Sequence, residues 1–480
     1  MKKYKDFLRG LARRPGGRFL RVLGTALACA SQTTGLAFVV VRPTDQTLPA
    51  VASNGNDYLV AWGDLTGSPR YASSIFATRI SSSGVVIDPA FIGPLILYHF
   101  SSPFSAVTPS AASNGRDYLL AWKDSEFAGE YSFDGISGAI VTHDGIATNV
   151  FGIWGTDAFP HPSSPAVASC GDNYLVAWGN PAWGISPAYG IRGRLATSSG
   201  ALDLDSAISP VGDSPKIAGG STNFFVVWQA GGDVFGAIVN TNGAVSGRIP
   251  ISTGPWEEAA PSVAYANDEF FVVWEDNRND VNTSFDIYGA RVSTAGVLLD
   301  TNGIPISTQP SFEGNPNVAS DGSGFLVVWL DQDLTTGAAK LFGTHVSDAG
   351  AVLDSNRTAI ASLAGSETSP AVACNGTNYL VVWSDTNGVT GQNIFGAQVG
   401  TFVPGLRLSG ISLDTNGVAL SWNAIAGKTY RVQSTTDLSS SGWADIPGDV
   451  VATNNVASKV DDAGANFPQR FYRVILLPSP

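Results

Sequence analysis

Cysteine, methionine, histidine and charged side chains are all scarce in this chain of 480 residues. It contains 3 Cys, 1 Met and 4 His, and only 14% of its residues are charged. Only Cys170 and Cys374 follow position 30, and two cysteines are too few for a disulfide scaffold. The histidines lack metal-ligand spacing, and no nucleophilic triad, phosphate-binding or zinc motif occurs. The sequence therefore predicts no metal, no cofactor and no catalytic residue that belongs to a known motif.

Long apolar runs are also missing, because nothing after residue 30 is long and apolar enough to span a membrane. Residues 1–30 differ from the rest: they carry eight Lys and Arg residues and the apolar segment FLRVLGTALACA, which ends at Ala30. A basic leader, an apolar run and small residues at the end are typical of an export signal. We therefore predict a signal peptide over residues 1–30 and a secreted, cell-surface or periplasmic protein.

Basic residues are outnumbered, with 27 Lys and Arg against 40 Asp and Glu and a formal net charge of −13. Loss of the predicted signal peptide would make the chain more acidic still. An acidic surface repels phosphate backbones and anionic lipid. The composition predicts no nucleic-acid partner and no membrane insertion, and it is compatible with a monomer that binds a carbohydrate or a protein.

Glycine, proline and aromatic residues are abundant, with 54 Gly, 27 Pro, 24 Phe and 12 Trp. This favours short strands and tight turns. One motif occurs seven times, each time with a Pro and a Trp thirteen positions apart. We number these repeats as units one to seven; they run Pro49–Trp62, Pro109–Trp122, Pro165–Trp178, Pro215–Trp228, Pro261–Trp274, Pro316–Trp329 and Pro370–Trp383.

Each unit predicts four antiparallel strands, which is the content of one propeller blade. The second strand, such as Tyr58 to Trp62, is apolar on both faces, so we expect neighbouring blades to cover it from both sides. Unit seven lacks a clear fourth strand, while residues 36–41 form an extra strand before unit one. The prediction is an all-β chain with a seven-bladed β-propeller over residues 31–403, closed by its N-terminal strand.

The repeats have the form PxVAxxGxxYLVVWxD, followed by segments such as Ile287 to Val292 and Gly296 to Asp300. Over residues 36–400 the chain resembles bacterial exported β-propeller repeat proteins, which implies the fold but no particular activity. Residues 404–480 carry three further strand patterns, with Trp422 and Tyr430 placed like core aromatics. This segment resembles a fibronectin type III-like β-sandwich, which implies a spacer module.

The loops that precede the first strand and join the second to the third hold most of the length variation, including residues 89–108, 148–164 and 276–286. Variable loops on a rigid scaffold are where specificity usually resides. Trp154, Trp183 and Trp256 fall in or beside such loops, and we predict that they bind ligand. The alternative is that these rings fill a secondary core beneath the loops.

Carboxylates also recur on this predicted face. Three glutamates lie three residues before the repeat Pro, and three aspartates lie two residues after the Trp; they are Glu258, Glu313, Glu367, Asp276, Asp331 and Asp385. Paired carboxylates can hydrolyse a glycoside or bind Ca²⁺. The alternative is structural, because Asp64 and Asp124 occupy the same position in units one and two and can cap loop amides. We predict the three glutamates as ligand-binding candidates.

Three functions fit this sequence. The main expectation is a binding or adhesion protein that is not an enzyme and that uses the variable-loop face to bind a carbohydrate or a protein. One alternative is a polysaccharide-active hydrolase or lyase that uses carboxylates of blades five to seven. The other is a structural cell-surface component.

Overall fold

The computed structural model describes most of the chain after residue 34. The described residues are 35–40, 44–65, 73–88, 91–95, 104–128, 131–147, 150–156, 162–179, 190–200, 202–279, 284–354, 356–364, 369–386, 391–401, 408–414, 417–424, 427–436, 443–453, 456–462 and 470–477. The predicted signal peptide lies outside them. Two compact bodies are present: the repeat body, Gln32–Thr401, and a C-terminal body that includes Phe402–Pro480.

The described residues are all-β and contain no helix, as the composition predicts; none of them therefore forms a helix able to cross a membrane. The strands of the first three units are β1 (Gly35–Val40), β2 (Asp45–Ser53), β3 (Tyr58–Leu65), β4 (Ser73–Ile80), β5 (Ile92–Leu95), β6 (Phe104–Ser113), β7 (Tyr118–Ala128), β8 (Tyr131–Val141), β9 (Phe151–Thr156), β10 (Ala166–Cys170), β11 (Asn173–Gly179), β12 (Ile191–Thr197) and β13 (Leu202–Ala207).

The strands of the other four units are β14 (Asp213–Gly219), β15 (Asn223–Ala230), β16 (Asp233–Asn240), β17 (Ile249–Ser252), β18 (Glu258–Ala266), β19 (Glu269–Asp276), β20 (Asp286–Ser293), β21 (Ile304–Ser307), β22 (Phe312–Ser320), β23 (Gly324–Gln332), β24 (Ala339–Ser347), β25 (Thr358–Leu363), β26 (Ala371–Cys374), β27 (Asn378–Thr386) and β28 (Gln392–Gly400).

Units three to six each form one four-stranded antiparallel sheet in chain order. Units one and two share a single eight-stranded sheet, because β4 and β6 pair in parallel through Ser73 and Ser105. The predicted propeller architecture is therefore confirmed in its coarse form, as consecutive sheets of repeated four-stranded units.

The second strand of each unit is buried on both faces, as its pattern predicts. In β3, Leu59 packs with side chains of unit two, whereas Val60 packs with side chains of unit seven. Trp62 is fully buried, as are most of the equivalent repeat tryptophans. Because alternate residues of a strand point to opposite faces, each unit needs both neighbours to exclude water from its core.

The N-terminal strand closes the repeat body. β1 pairs antiparallel with β28 and so becomes the fourth strand of the unit seven sheet, which confirms the prediction from the sequence. The Tyr58 hydroxyl also donates to the Asn378 carbonyl oxygen at 2.5 Å, which joins units one and seven. Cys170 and Cys374 lie in units three and seven and form no disulfide with each other.

A bulge precedes the repeat Pro in five units. The residue before the Pro adopts a left-handed backbone conformation, with φ of 47° at Ala260 and 53° at Asn315. Two residues, Ala260 and Pro261 in unit five, thus lie opposite the single repeat Trp, so the bulged strand carries one extra residue. On the N-terminal side of the bulge, Glu258 lies opposite Asp276 and Glu313 lies opposite Asp331.

The described residues of the C-terminal body form two sheets. The first contains β29 (Leu408–Asp414), β30 (Gly417–Asn423) and β34 (Val456–Asp461). The second contains β31 (Thr429–Thr435), β32 (Ala444–Asp445), β33 (Val450–Val451) and β35 (Phe471–Leu476). Trp422 and Tyr430 are fully buried between residues of both sheets, with ring centroids 6.0 Å apart.

Candidate functional site

The aspartates that follow the repeat tryptophans accept hydrogen bonds inside the units. The indole Nε1 of Trp274 donates to Asp276 Oδ2 at 2.9 Å, and Trp122 Nε1 donates to Asp124 Oδ1 at 2.7 Å. In unit seven, Asp385 instead accepts from the Ala364 backbone N–H at 3.0 Å. A buried indole N–H needs an acceptor, so this geometry favours the structural alternative for the aspartates.

Unit six encloses its pair of carboxylates completely. Glu313 Oε1 accepts from Ser307 Oγ at 2.6 Å and from Trp329 Nε1 at 3.0 Å. Arg357 lies 3.0 Å from the same oxygen and also pairs with Asp331. Burial raises the pKa of Glu313, although these donors oppose the shift. Glu313 is a ligand-binding candidate from the sequence, but its oxygens are buried and bonded, which favours the structural alternative.

Unit five leaves its glutamate without the tryptophan and arginine partners that Glu313 has. Arg278 forms two bonds with Asp276, Nε to Oδ1 at 2.8 Å and Nη2 to Oδ2 at 2.6 Å, and no described basic residue pairs with Glu258. Glu258 is only 1% exposed; its Oε1 accepts a 3.4 Å bond from the Gly254 amide, while its Oε2 accepts none.

The electrostatic surroundings favour a protonated Glu258. Burial is the largest effect and raises the pKa of this carboxyl group, and the negative charge of Asp276 raises it further. The Ser252 hydroxyl and the Gly254 amide oppose the shift only in part. Since a charge without a partner is costly in a dry environment, Glu258 keeps its proton to a higher pH than an ordinary glutamic acid.

Glu258 borders a cavity of about 350 Å³ between units four and five, which we call the interblade cavity. Asp213 and the turn Gly231–Gly232 line it from unit four, and Glu257 and Glu258 line it from unit five. The turn joins β15 to β16 in only two residues, with φ of 67° and 89°, which favours glycine. The turn itself therefore places no side chain in the space beside Glu258.

Glu258 and Glu313 bond to different residues of their preceding units, and this difference explains why the cavity lies beside Glu258. The Glu258 amide donates to the Gly232 carbonyl oxygen at 2.7 Å, and the Glu313 amide makes the equivalent bond to Phe285 at 3.0 Å. Gly232 has no side chain, whereas the Phe285 ring packs edge-on against Phe312 with centroids 6.0 Å apart. The two glutamates at this repeat position thus differ in the residue that the preceding unit supplies and in the arginine that pairs with Glu313.

Trp256 is exposed two residues before Glu258. Its side chain is 45% exposed, and the Arg278 guanidinium lies 5.5 Å from its ring. Arg278 is itself held by Asp276 and stacks on Tyr288 at 4.1 Å. An exposed ring whose neighbouring arginine is fixed by an ion pair is suited to stacking against a ligand.

The other predicted residues are placed differently. Trp154 is half-buried, and its ring lies 5.8 Å from that of Trp178, which favours the secondary-core alternative. Trp183 and Glu367 lie outside the described residues. Asp213 and the Gly231–Gly232 turn were not predicted from the sequence. The turn could have been found from loop length, because the loop between the second and third strands is much shorter in unit four than in unit five. Among the described residues, no group of three metal-ligating side chains occurs.

No family model and no curated protein matches this chain. Solved structures do match. The α-L-arabinanase of Penicillium chrysogenum, complexed with arabinobiose, is 11% identical over 76% of this chain and 95% of its own, with a TM-score of 0.42. The phage phi92 endosialidase is 9% identical, covering 82% and 74%, with a TM-score of 0.44. The GH43_1 enzyme of Xanthomonas citri, complexed with xylotriose, is 11% identical, covering 55% and 93%, with a TM-score of 0.31.

These findings correct the main functional expectation. The similar structures are carbohydrate-active hydrolases, which contradicts the prediction of a non-enzymatic binding or adhesion protein and the prediction that the chain is not an enzyme. At these identities and TM-scores, the likeness assigns neither a reaction nor a substrate to this chain. Support for the enzymatic alternative must therefore come from the residues of the interblade cavity.

Proposed function

We propose that this protein is a polysaccharide-active hydrolase and that Glu258 is its proton donor, acting in the interblade cavity. The observation that carries the proposal is the buried carboxyl group of Glu258, whose Oε2 accepts no hydrogen bond and whose pKa is raised. A raised carboxyl pKa at a cavity is typical of a general acid.

Glycoside hydrolysis needs two carboxyl groups with different protonation states. Glu258 would give its proton to the leaving glycosidic oxygen as the bond from the anomeric carbon to that oxygen breaks. Asp213, supplied by unit four to the same cavity, is our candidate for the ionised partner, and it accepts a 2.7 Å bond from the Ser214 amide. Its carboxylate would remove a proton from the attacking water, whose oxygen forms the new bond. The water proton finally restores Glu258 through solvent.

The ligand we propose is a carbohydrate chain. The exposed Trp256 ring beside Glu258 offers a flat apolar face to a sugar ring, and the cavity of about 350 Å³ has room for one pyranose unit. The carboxylates of the cavity supply acceptors for sugar hydroxyl groups.

The finer architecture is part of this proposal. Seven repeats, the four-stranded sheets and the contacts of unit one with unit seven support a seven-bladed β-propeller. The two sheets around Trp422 and Tyr430 support a fibronectin type III-like sandwich that acts as a spacer. We further propose export by residues 1–30, as in bacterial exported propeller repeat proteins.

The test is hydrolysis of a polysaccharide panel, measured as released reducing ends. On any substrate that is turned over, Glu258→Gln should lower kcat at least about 100-fold, since general acid catalysis commonly contributes that much. Asp213→Asn should cause a comparable loss. Glu269→Gln is the matched control, because Glu269 lies at the opposite end of β19 from the cavity.

The pH profile supplies a second readout. The active form needs protonated Glu258, so kcat should fall as the pH rises through the raised pKa of this group. Full activity of Glu258→Gln, or a profile without this alkaline limb, would refute the assignment of the acid.

A further inference from the structure

A second cavity, of about 500 Å³, is enclosed by the inner strands of all seven units. We call it the axial cavity. Residues next to each repeat Pro line it, so the same position of every unit faces one space. Its lining is almost entirely apolar or neutral polar, with serine, threonine and asparagine side chains among small residues.

Among the described residues that line the axial cavity, Lys216 alone is charged. It directly follows the repeat Pro of unit four, and its side chain is exposed to the cavity. The equivalent residues of the other units are all small or neutral; they are Ala50, Ser110, Ala166, Ser262, Asn317 and Ala371. Within the described part of the chain, no acidic side chain pairs with Lys216, and its ammonium group donates no hydrogen bond.

An ammonium group in this position lacks a counter-charge. The surrounding protein removes bulk water, and this desolvation lowers the pKa of Lys216. An anion that enters the cavity would restore the missing charge partner and would gain a charge-assisted hydrogen bond. Ser262 and Asn317 could bond neutral hydroxyl groups of the same ligand. The lining thus suits a molecule with one negative group and several hydroxyls.

The two cavities are neighbours through unit four. Gln229 lines both, and its Oε1 accepts a 3.0 Å bond from the Ala260 amide. Asp213 lines the interblade cavity and Lys216 lines the axial cavity, and the two residues flank the bulge of β14. A carbohydrate chain held at Glu258 could therefore place another sugar near Lys216.

We propose that the axial cavity binds the carboxylate of a sugar acid through Lys216, and that the polysaccharide substrate is correspondingly acidic. Binding of a sugar acid is argued from the axial cavity itself, whereas the acidic substrate rests on the proposed function. Free sugar acid and a sugar acid within a polymer share the recognised group, so the experiment treats them separately.

The first arm measures binding of free glucuronate by titration calorimetry, with glucose and inorganic phosphate as comparison ligands. Glucuronate should bind and glucose should not. Lys216→Ser, which installs the residue found in units two and five, should weaken glucuronate binding about ten-fold or more. Lys340→Ser is the control, because Lys340 is an exposed lysine outside the axial cavity. An unaltered melting temperature of Lys216→Ser checks the fold.

Two results of this arm would overturn the site. One is glucuronate affinity that Lys216→Ser leaves unchanged. The other is phosphate binding as tight as glucuronate binding, which would mean that the cavity selects charge alone.

The second arm compares hydrolysis of a uronate-containing polysaccharide with that of the same polymer after chemical reduction of its carboxyl groups. The wild type should prefer the acidic polymer in kcat/KM, and Lys216→Ser should bring the ratio of the two values towards one. Equal wild-type rates on both polymers would refute the acidic substrate while leaving hydrolysis by Glu258 intact. Glucuronate binding through Lys216 without turnover of either polymer would refute the hydrolase and leave the axial site standing.

Discussion

Replacing Arg357 by Met should destabilise the repeat body, because the change leaves the buried carboxyl groups of Glu313 and Asp331 without their shared cation. Breaking a buried ion pair costs about 3–5 kcal/mol. The Arg357 side chain is 26% exposed, so solvent screening reduces the expected loss to about 2–3 kcal/mol. For a body of roughly 370 residues, this corresponds to a fall in Tm of about 3 °C. Met retains part of the apolar packing of Arg357 on the Phe342 ring.

The pH dependence separates lost charge from lost packing. Burial already raises the pKa of Glu313, so the folded chain holds this proton more tightly than the unfolded chain. Below the ordinary carboxyl pKa both states are protonated, and the variant should unfold close to the wild type. As the pH rises through the raised folded pKa, ionisation without Arg357 becomes costly and stability is lost.

Calorimetric unfolding at about pH 3 and about pH 8 measures this difference, since the two values lie below and above the ordinary carboxyl pKa values of about 4. The loss should be several-fold larger at the higher pH, and adding Glu313→Gln and Asp331→Asn to Arg357→Met should restore most of the stability. An equal loss at both pH values would refute the electrostatic explanation and would assign the role of Arg357 to packing.

Two further predictions follow from the fold and the rim of the cavity. Deleting Gly35–Val40 should lower the stability of the repeat body by several kcal/mol, because β28 loses its partner and becomes an open edge; an unchanged thermal transition would argue against closure by this strand. Trp256→Ala should weaken binding of a turned-over polysaccharide by about 1 kcal/mol or more at nearly constant Tm. Trp274→Ala should instead cost about 3–5 kcal/mol of stability, and early melting of the Trp256 variant would place that ring in the core.

In the C-terminal body, the local sequence pattern predicted the strands but not how they are connected. The predicted strands around Trp422 and Tyr430 are present, and both rings are buried. Alternation along single strands is a local property, so it can be read without a partner. The assignment of the two sheets to one sandwich topology stays a proposal, because it depends on how loops connect the strands.

The sequence alone determined the repeated four-stranded unit, the two-sided burial of its second strand and the closing role of β1. The first two follow from local alternation and from the fixed Pro-to-Trp spacing of each repeat. The third follows from the missing fourth strand of unit seven and the extra strand before unit one. The sequence also pointed to Glu258 and Glu313 as equivalents, because they occupy the same position of their units.

Only the tertiary structure separated those two glutamates. Arg357 neutralises Glu313 from 44 residues further along the chain, whereas Gly232 of the preceding unit leaves Glu258 beside a cavity. Lys216 likewise gains its significance from six other units that enclose the same space. Burial and charge pairing depend on residues that are distant in sequence but close in space. The position of a residue within its repeat therefore predicts its place in the strand but not the side chains around it.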